Sequence, residues 1–360
     1  MSRFHPLVVD RVDRETRDAV VVTFAVPESL GEAFRFEPGQ HLTLKARIGG
    51  VDVRRSYSIC SSRQDGRLRI AVKRAPGGVF STWANESLAP GVTLEVMPPT
   101  GHFHLPVDPA ARHHYVGFAA GSGITPLLSI VATTLAAEPM SHVTLFYGNR
   151  ASGTVMFREE LAALKDRHLD RFNLVHVLSR ESQDIDLLHG RIDRERAGAL
   201  LERWVPLAEV DAVFVCGPEP MMDAVVAALA ARGFPPERVR LERFASSIPR
   251  HEHQVARPVA DGRTRTEVTV VVDGARKSYT LDRTKESLLD GALANGIELP
   301  YSCKGGVCAT CRCRLVEGEV DMDVNFALED YEVARGFVLA CQSFPATDKV
   351  VVDFDQTGTG

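Results

Sequence analysis

Cys303, Cys308 and Cys311 stand in the order Cys-x4-Cys-x2-Cys, and Cys341 follows far downstream. Four thiolates at that spacing can wrap two irons, the pattern of a plant-type [2Fe–2S] cluster. Gly305 and Gly306, between the first two thiols, let the backbone curl close to the sulfurs and aim N–H groups at them. Zinc sites usually carry two short Cys/His pairs, whereas Cys-x2-Cys occurs here only once as part of the run. Disulfide frameworks belong to short, cysteine-dense secreted chains, and this chain has seven cysteines in 360 residues. Cys313 is a competing thiol two residues past Cys311; the spacing favours Cys311 and leaves Cys313 on the following strand. A cluster of this type moves one electron at a time near about −400 mV. The chain is therefore expected to lie on an electron-transfer path.

Other stretches bear on nucleotide chemistry. Arg55-Ser56-Tyr57-Ser58 lies in an apolar strand, and an ordinary strand also satisfies so short a pattern. Gly77-Gly78-Val79-Phe80-Ser81-Thr82 opens a short helical stretch, where backbone N–H groups and the Ser81 and Thr82 hydroxyls suit a phosphate. Together these segments would suit a flavin nucleotide. Ala120-Gly121-Ser122-Gly123-Ile124-Thr125-Pro126 joins a predicted strand to a predicted helix. Pro126 replaces the third glycine of the dinucleotide fingerprint, but small residues before a helix N-terminus still let a pyrophosphate approach. Cys216-Gly217-Pro218-Glu219-Pro220-Met221 ends another strand, either as a plain Gly-Pro turn over a buried Cys216 or as a ligand-facing edge.

The elements that must position these residues change texture along the chain. Residues 1–107 read as short strands, such as Ala19–Val26, His41–Ala46 and Arg67–Val72, punctuated by Gly, Pro and Asp; this predicts a sandwich or barrel. Residues 108–245 alternate strand and helix, with helices expected over Ile124–Ala137, Met156–Lys165, Arg194–Arg203 and Met221–Ala231. That order predicts a parallel, doubly wound sheet with its site at the strand C-termini. Residues 246–266 are polar and proline-bearing, a linker in which His251 and His253 read as solvated. Residues 267–360 add a hairpin at Asp273-Gly274, a helix over Lys285–Asn295 and the cysteine loop.

Bulk composition narrows the function classes. A net charge of −5 argues against nucleic acid as a partner. The N-terminal residues lack the apolar core of a signal peptide, and no apolar run approaches the length of a spanning helix. A cytoplasmic location, with no membrane partner, is the expectation, and cluster thiolates suit a reducing compartment.

With R-x-Y-S, G-x-x-S, G-S-G-I-T-P, C-G-P-x-x-M and the cysteine loop in fixed order, nearly the whole chain resembles the ferredoxin–NADP reductase superfamily, in its form with a C-terminal ferredoxin domain. Within that family, Asp323-Val324-Asn325-Phe326-Ala327-Leu328-Glu329-Asp330-Tyr331-Glu332-Val333 resembles the reductases of multicomponent oxygenases. The resemblance implies an antiparallel β-barrel for FAD, an α/β doubly wound nicotinamide domain and an α+β (β-grasp) ferredoxin domain. It implies that Arg55 pairs with flavin phosphate, Tyr57 stacks on the isoalloxazine, and Ser58 lies near the flavin N5. Gly78 and Ser81, within Gly77–Thr82, would bind the FAD pyrophosphate. Gly121, Ser122, Gly123 and Thr125, with Pro126, would line the nucleotide's phosphate path. Cys216, followed by Gly217, Pro218 and Met221, would sit by the reacting nicotinamide carbon. Glu242 and Phe244 would approach the flavin's reactive edge, and Cys303, Cys308, Cys311 and Cys341 would hold the irons.

The resemblance further implies a two-to-one electron converter feeding a di-iron oxygenase in trans. Ser179-Arg180 resembles the pair that receives a 2′-phosphate, and no acidic residue follows the second strand, so NADPH is favoured over NADH. The acidic run from Glu317 to Glu332, without Lys or Arg, is expected either to steer the partner or to be plain solvated surface. Two other readings stay open: the reductase of a different aromatic or alkene oxygenase using NADH and FMN, and a non-catalytic redox sensor. Cys60 and Cys313 have no expected role.

Overall fold

The computed structural model describes residues 4–104, 106–244 and 262–356. They form two compact units: residues 4–53 with 57–104 and 106–244, and residues 262–356 with Arg54–Ser56.

The barrel is built from β1 (His5–Thr16), β2 (Ala19–Ala25), β3 (His41–Ile48), β4 (Val51–Ser58), β5 (Leu68–Lys73) and β6 (Thr93–Val96), with helix α1 (Val79–Glu86). Its strand order is β4-β3-β6-β1-β2-β5. Ile59, just past β4, bridges antiparallel to Ile70 of β5, and the Cys60 N–H donates to the Arg69 carbonyl at 2.9 Å. These links join the two edges of the sheet, which removes unpaired edge groups. The unbroken apolar run of β2 has a simple cause. Val20, Val22 and Phe24 fill the barrel core, while Ala19 and Val21 enter the core of the neighbouring α/β layer.

That layer contains β7 (His114–Ala120), α2 (Ile124–Ala137), β8 (His142–Asn149), α3 (Arg158–Arg167), β9 (Phe172–Leu178), α4 (Arg194–Trp204), β10 (Ala212–Cys216), α5 (Glu219–Ala230) and β11 (Val239–Glu242). All pairings are parallel, in the order β11-β10-β7-β8-β9. Residues of α2 and α3 pack in one core and those of α4 and α5 in another, so the sheet is covered on both faces. The expected helix from Met156 instead starts at Arg158. Phe157 is left-handed, with φ 56°, and its N–H goes to Glu15 of β1. The helix expected from Met221 starts at Glu219, because Pro220 falls in its first turn, where the missing N–H costs nothing.

Barrel and α/β layer are tied within this unit. Arg69 grips Glu160 of α3 with two hydrogen bonds, at 2.8 and 3.3 Å. The Ser129 hydroxyl of α2 donates to the Ser61 carbonyl at 2.7 Å.

The smaller unit has β12 (Arg265–Val272), β13 (Ala275–Asp282), α6 (Leu288–Ala294), β14 (Arg312–Glu317), β15 (Val320–Met322), α7 (Asp330–Ala334), β16 (Phe337–Leu339), β17 (Ser343–Pro345) and β18 (Lys349–Asp353). A mixed sheet runs β13-β12-β18-β14-β16, with β12 and β18 parallel, and β15 pairs with β17. The expected hairpin turn has φ 52° at Asp273 and 74° at Gly274, the double left-handed turn that matches strand twist. The helix expected from Lys285 begins at Leu288 because the Ser287 hydroxyl caps it, accepting from the Asp290 N–H at 3.1 Å. Leu288, Leu289 and Ala292 then face the core. Most of the expected linker, including His251 and His253, lies outside the described residues. Its expected end at residue 266 falls inside β12, where Arg265 pairs with Asp282.

Candidate functional site

The strand order reverses between β7 and β10, and the loops leaving these two strands meet there. A Cβ on Gly123 would stand 2.0 Å from the Cys216 carbonyl oxygen, and one on Gly217 would touch Ala120 at 3.2 Å. Bare backbone is therefore required at Gly123, and Gly217 is tightly packed. Gly121 takes φ 54° and opens a 3-10 turn that runs into α2. The Thr125 hydroxyl donates to the Ser122 carbonyl at 2.9 Å, and the Tyr147 hydroxyl to the Gly121 carbonyl at 3.0 Å, fixing the turn. Pro126 sits in the first turn of α2, where it is tolerated. The result is a close-packed crevice at the reversal point, with a helix N-terminus opening onto it, a geometry that accepts a dinucleotide's phosphates.

Cys216, fully buried, ends β10 beside Glu242 of β11, its register partner. Burial pushes its thiol well up, and the Glu242 charge adds to this, so the thiol stays neutral. It offers an uncharged sulfur surface and not a nucleophile. Pro218 precedes α5, and Met221 packs back over the turn, its methyl 2.7 Å from where a Gly217 Cβ would be. Phe244 packs partly buried on the same core as Cys216. His41 was not singled out in the sequence, yet its Nδ1 lies 4.0 Å from Glu242 Oε1. It is 5% exposed. The signal was a polar residue opening an otherwise apolar strand, which alternation alone does not mark as unusual.

In the barrel, the Tyr57 ring lies 5.4 Å from Phe80, which in turn meets Trp83 edge-on at 5.6 Å. Tyr57 is half-buried and Ser58 buried, so one aromatic face is braced from behind. Arg55 and Ser56 sit on the same strand, and the Arg55 guanidinium donates to the Arg54 carbonyl at 2.6 Å. Gly77 takes φ 68°, and Gly78 is the N-cap of α1. A Cβ on Gly78 would lie 2.4 Å from the Ser81 hydroxyl. That hydroxyl accepts from the Ala75 N–H and donates to the Gly78 carbonyl, so it pins the loop. A phosphate at α1 would meet the first-turn N–H groups and the half-buried Thr82 more than Ser81.

In the smaller unit the four thiols come as two pairs. The Cys303 and Cys308 side chains are within hydrogen-bonding reach of each other, as are those of Cys311 and Cys341. Among the described residues no three ligating groups converge on one ion. Two ligands for each of two irons fit this arrangement. The Gly305 N–H donates to Cys303 Sγ at 3.3 Å. The Cys308 thiol and the Gly305 and Val307 N–H groups bring Cys303 down to about 7 against its burial. Gly306 takes φ 75°, with the Val324 carbonyl oxygen 2.8 Å from where its Cβ would be. Lys304 and Ala309 are also left-handed, so the loop is tightly curled around the thiols. Cys313 lies apart, buried on β14, its thiol donating to the Val338 carbonyl at 3.8 Å.

The acidic run requires a correction. Glu332 is buried against Arg312 and caps α7 through the Glu329 N–H, and Glu317 pairs with Lys349 at 3.0 Å. Exposed charge remains at Glu319, Asp321, Asp323, Glu329 and Asp330. Ser179 and the exposed Arg180 follow β9, their N–H groups donating to the carbonyls of Asn149 and Arg150.

Comparison with known proteins agrees with this geometry. Residues 6–105 match the oxidoreductase FAD-binding domain, 118–227 the oxidoreductase NAD-binding domain, and 270–346 the 2Fe-2S iron-sulfur cluster binding domain. The chain is 49% identical to a subunit of the 1,2-phenylacetyl-CoA epoxidase of Escherichia coli K12, over 99% of each chain. It is 37% identical to the ferredoxin reductase component of 3-ketosteroid-9-alpha-monooxygenase from Rhodococcus rhodochrous, covering 98% of this chain and 97% of that one. Among solved structures, phthalate dioxygenase reductase, described as modular for electron transfer from pyridine nucleotides to [2Fe-2S], superposes with a TM-score of 0.58 at 25% identity, over 98% of each chain. Braced aromatics in a barrel, a glycine-lined crevice at a strand reversal and paired thiols in a β-grasp unit thus fall in one order along one chain, which belongs to the family of FAD- and [2Fe–2S]-containing oxygenase reductases that draw electrons from a pyridine nucleotide.

Proposed function

We propose that this chain is the reductase of a phenylacetyl-CoA epoxidase complex, taking a hydride from NADPH and supplying single electrons to di-iron oxygenase subunits in the cytoplasm. The observation that carries this reading is 49% identity with the Escherichia coli epoxidase component across 99% of both chains. The stretch Asp323–Val333, which resembles such reductases, agrees with it.

FAD, when bound, exchanges a two-electron hydride for single electrons, and the [2Fe–2S] cluster carries those electrons onward. The protein's own part is placement. Tyr57, braced by Phe80 and Trp83, gives the isoalloxazine a stacking face, with Ser58 beside it and Arg55 and Ser56 toward the flavin phosphates. Gly77, Gly78 and Thr82 open α1 to the pyrophosphate, and Ser81 holds that loop in shape. Gly121, Ser122, Gly123, Thr125 and Pro126 form the nucleotide's phosphate path, and Cys216, Gly217, Pro218 and Met221 form the wall at the nicotinamide. Glu242, held between Cys216 and His41, and Phe244 mark the reactive edge. Cys303, Cys308, Cys311 and Cys341 would hold the irons, as two pairs of thiols. The proposed domains span 1–107, 108–245 and 267–360 with a linker at 246–266, save that β12 already begins at Arg265.

Reconstitution with candidate oxygenase subunits tests the reading. NADPH-dependent epoxidation of phenylacetyl-CoA is expected. A reductase that bleaches its flavin with NADPH but supports only a different oxygenase would reassign the partner. One whose flavin NADPH does not bleach would revive a sensor role.

A further inference from the structure

Tyr147 stands on β8 as the register partner of Ala119 on β7, the strand that leads into the glycine turn. It is fully buried, in the core that holds the residues of α2 and α3. Its neighbour Phe146 fills the core on the other face of the sheet with a plain phenyl ring. A hydroxyl at residue 147 adds nothing to apolar packing, and it costs free energy in such surroundings unless it is bonded. Its bond goes to the Gly121 carbonyl, at 3.0 Å. Burial pushes this hydroxyl well above the usual tyrosine range, so it remains a proton donor.

Gly121 is where the direction of the turn is set. It takes φ 54°, and a Cβ there would meet nothing within 4 Å, so backbone conformation and not space calls for glycine. The Ile124 N–H reaches the same carbonyl oxygen. Both lone pairs of that oxygen are thus engaged by the protein. A planar trans peptide points its C=O and its N–H in opposite directions. The Ser122 N–H therefore points away from the Tyr147 hydroxyl, as a first-turn donor without an intrahelical partner. Reversal of this one peptide would present the negative end of the carbonyl to an arriving anion and withdraw that donor. Glycine at 121 raises little steric barrier against such a reversal.

We propose that Tyr147 is a positioning residue for the pyridine nucleotide: its hydroxyl holds the Gly121–Ser122 peptide with the N–H toward the pyrophosphate and the carbonyl turned away. It acts through that peptide and not by contact with the nucleotide. The inference rests on the reading of Gly121, Ser122, Gly123, Thr125 and Pro126 as the phosphate path, and deepens it.

The test is stopped-flow bleaching of the flavin in the holoprotein by NADPH and by NADH, with calorimetric binding of ADP-ribose, which carries the pyrophosphate without the nicotinamide. Tyr147→Phe keeps the ring and removes the bond. It is expected to weaken all three ligands by about threefold to tenfold, the range for one neutral hydrogen bond, with little change in the bleaching rate at saturation. Gly121→Ala disfavours the left-handed setting without adding a clash, and should weaken the same ligands; it carries the test should Tyr147→Phe fail to fold. Tyr115→Phe is the control. That hydroxyl lies 2.6 Å from His113 Nδ1 near the start of β7, at the opposite end of the strands, so its loss should leave nucleotide binding unchanged. Unchanged affinities in folded Tyr147→Phe overturn the proposal, as does a slower saturated rate at unchanged affinity. Ser122→Asp places a charge in the phosphate path and should weaken NADPH. Wild-type affinity in that variant overturns the phosphate-path reading itself, a different failure.

Discussion

The carbonyl oxygen of Cys216 occupies the space that a Cβ on Gly123 would need, 2.0 Å away. The loops after β7 and β10 therefore cross at van der Waals contact, and the crevice between them exists only while residue 123 has no side chain. Gly123→Ala is expected to destabilise the larger unit by about 1–3 kcal/mol, the usual cost of overpacking. It should also slow flavin bleaching by NADPH in stopped flow. Gly153→Ala, where a Cβ meets nothing within 4 Å, is the control and should change neither.

The paired thiols make a second prediction. Cys308→Ser is expected to drop iron from near two per chain and to bleach the visible cluster bands. Cys313→Ala should keep both, because that thiol is spent on the Val338 carbonyl within the sheet. Gly306→Ala should lower cluster retention, since its methyl would collide with the Val324 carbonyl at a left-handed position. Iron analysis with absorbance spectra reads all three.

Arg69 and Glu160 bridge the barrel and α3 with two hydrogen bonds, and Arg69 is 8% exposed. Arg69→Ala leaves the Glu160 carboxylate without its fork. It is expected to cost about 1–3 kcal/mol in denaturant unfolding of the larger unit. A midpoint unchanged from wild type would show that the pair does not couple barrel to α/β layer.

Histidines set a pH dependence that is local to the larger unit. Burial holds His104, His114 and His176 below the ordinary imidazole value; neighbouring charge adds to this at His114 from His142 and at His176 from Arg158. The unfolded chain therefore takes up these protons first as pH falls, and the folded state loses stability from about pH 7 downward, through the unfolded value near about 6.5. Denaturant midpoints at pH 7.5 and 5.5 are expected to differ for this unit. The last histidine is His253, so residues 262–356 carry none and their unfolding should move little over the same range. A midpoint for the larger unit that is flat across this range would contradict the assignment.

Glu319, Asp321, Asp323, Glu329 and Asp330 remain as exposed charge on the cluster-bearing unit. If they steer an electron acceptor, its reduction rate should fall as salt rises from 50 to 500 mM, on the order of tenfold. Asp321→Asn with Asp323→Asn should flatten that slope without changing flavin bleaching. A rate indifferent to salt would leave the segment as ordinary solvated surface.

Much of this molecule was legible in its sequence because its chemistry sits in contiguous runs. The cysteine spacing, the Gly-Ser-Gly turn and the strand–helix alternation are local, and local sterics and periodicity constrain them directly. Helix ends were less legible. Phe157 stays out of α3 because Glu15, far away in sequence, takes its N–H, and no local pattern records that bond. Glu332 read as surface charge because its neighbours are acidic, yet it is buried against Arg312, twenty residues earlier. His41 beside Glu242, Gly123 beneath Cys216, and Arg150 joined to Arg180 are likewise products of strands and loops distant along the chain. The sequence by itself determined which groups are present, their order and the three kinds of domain. Only the tertiary structure decided which side chains are already spent on structure and which backbone positions must stay bare, because both depend on atoms brought together by the strand order and not by spacing along the chain.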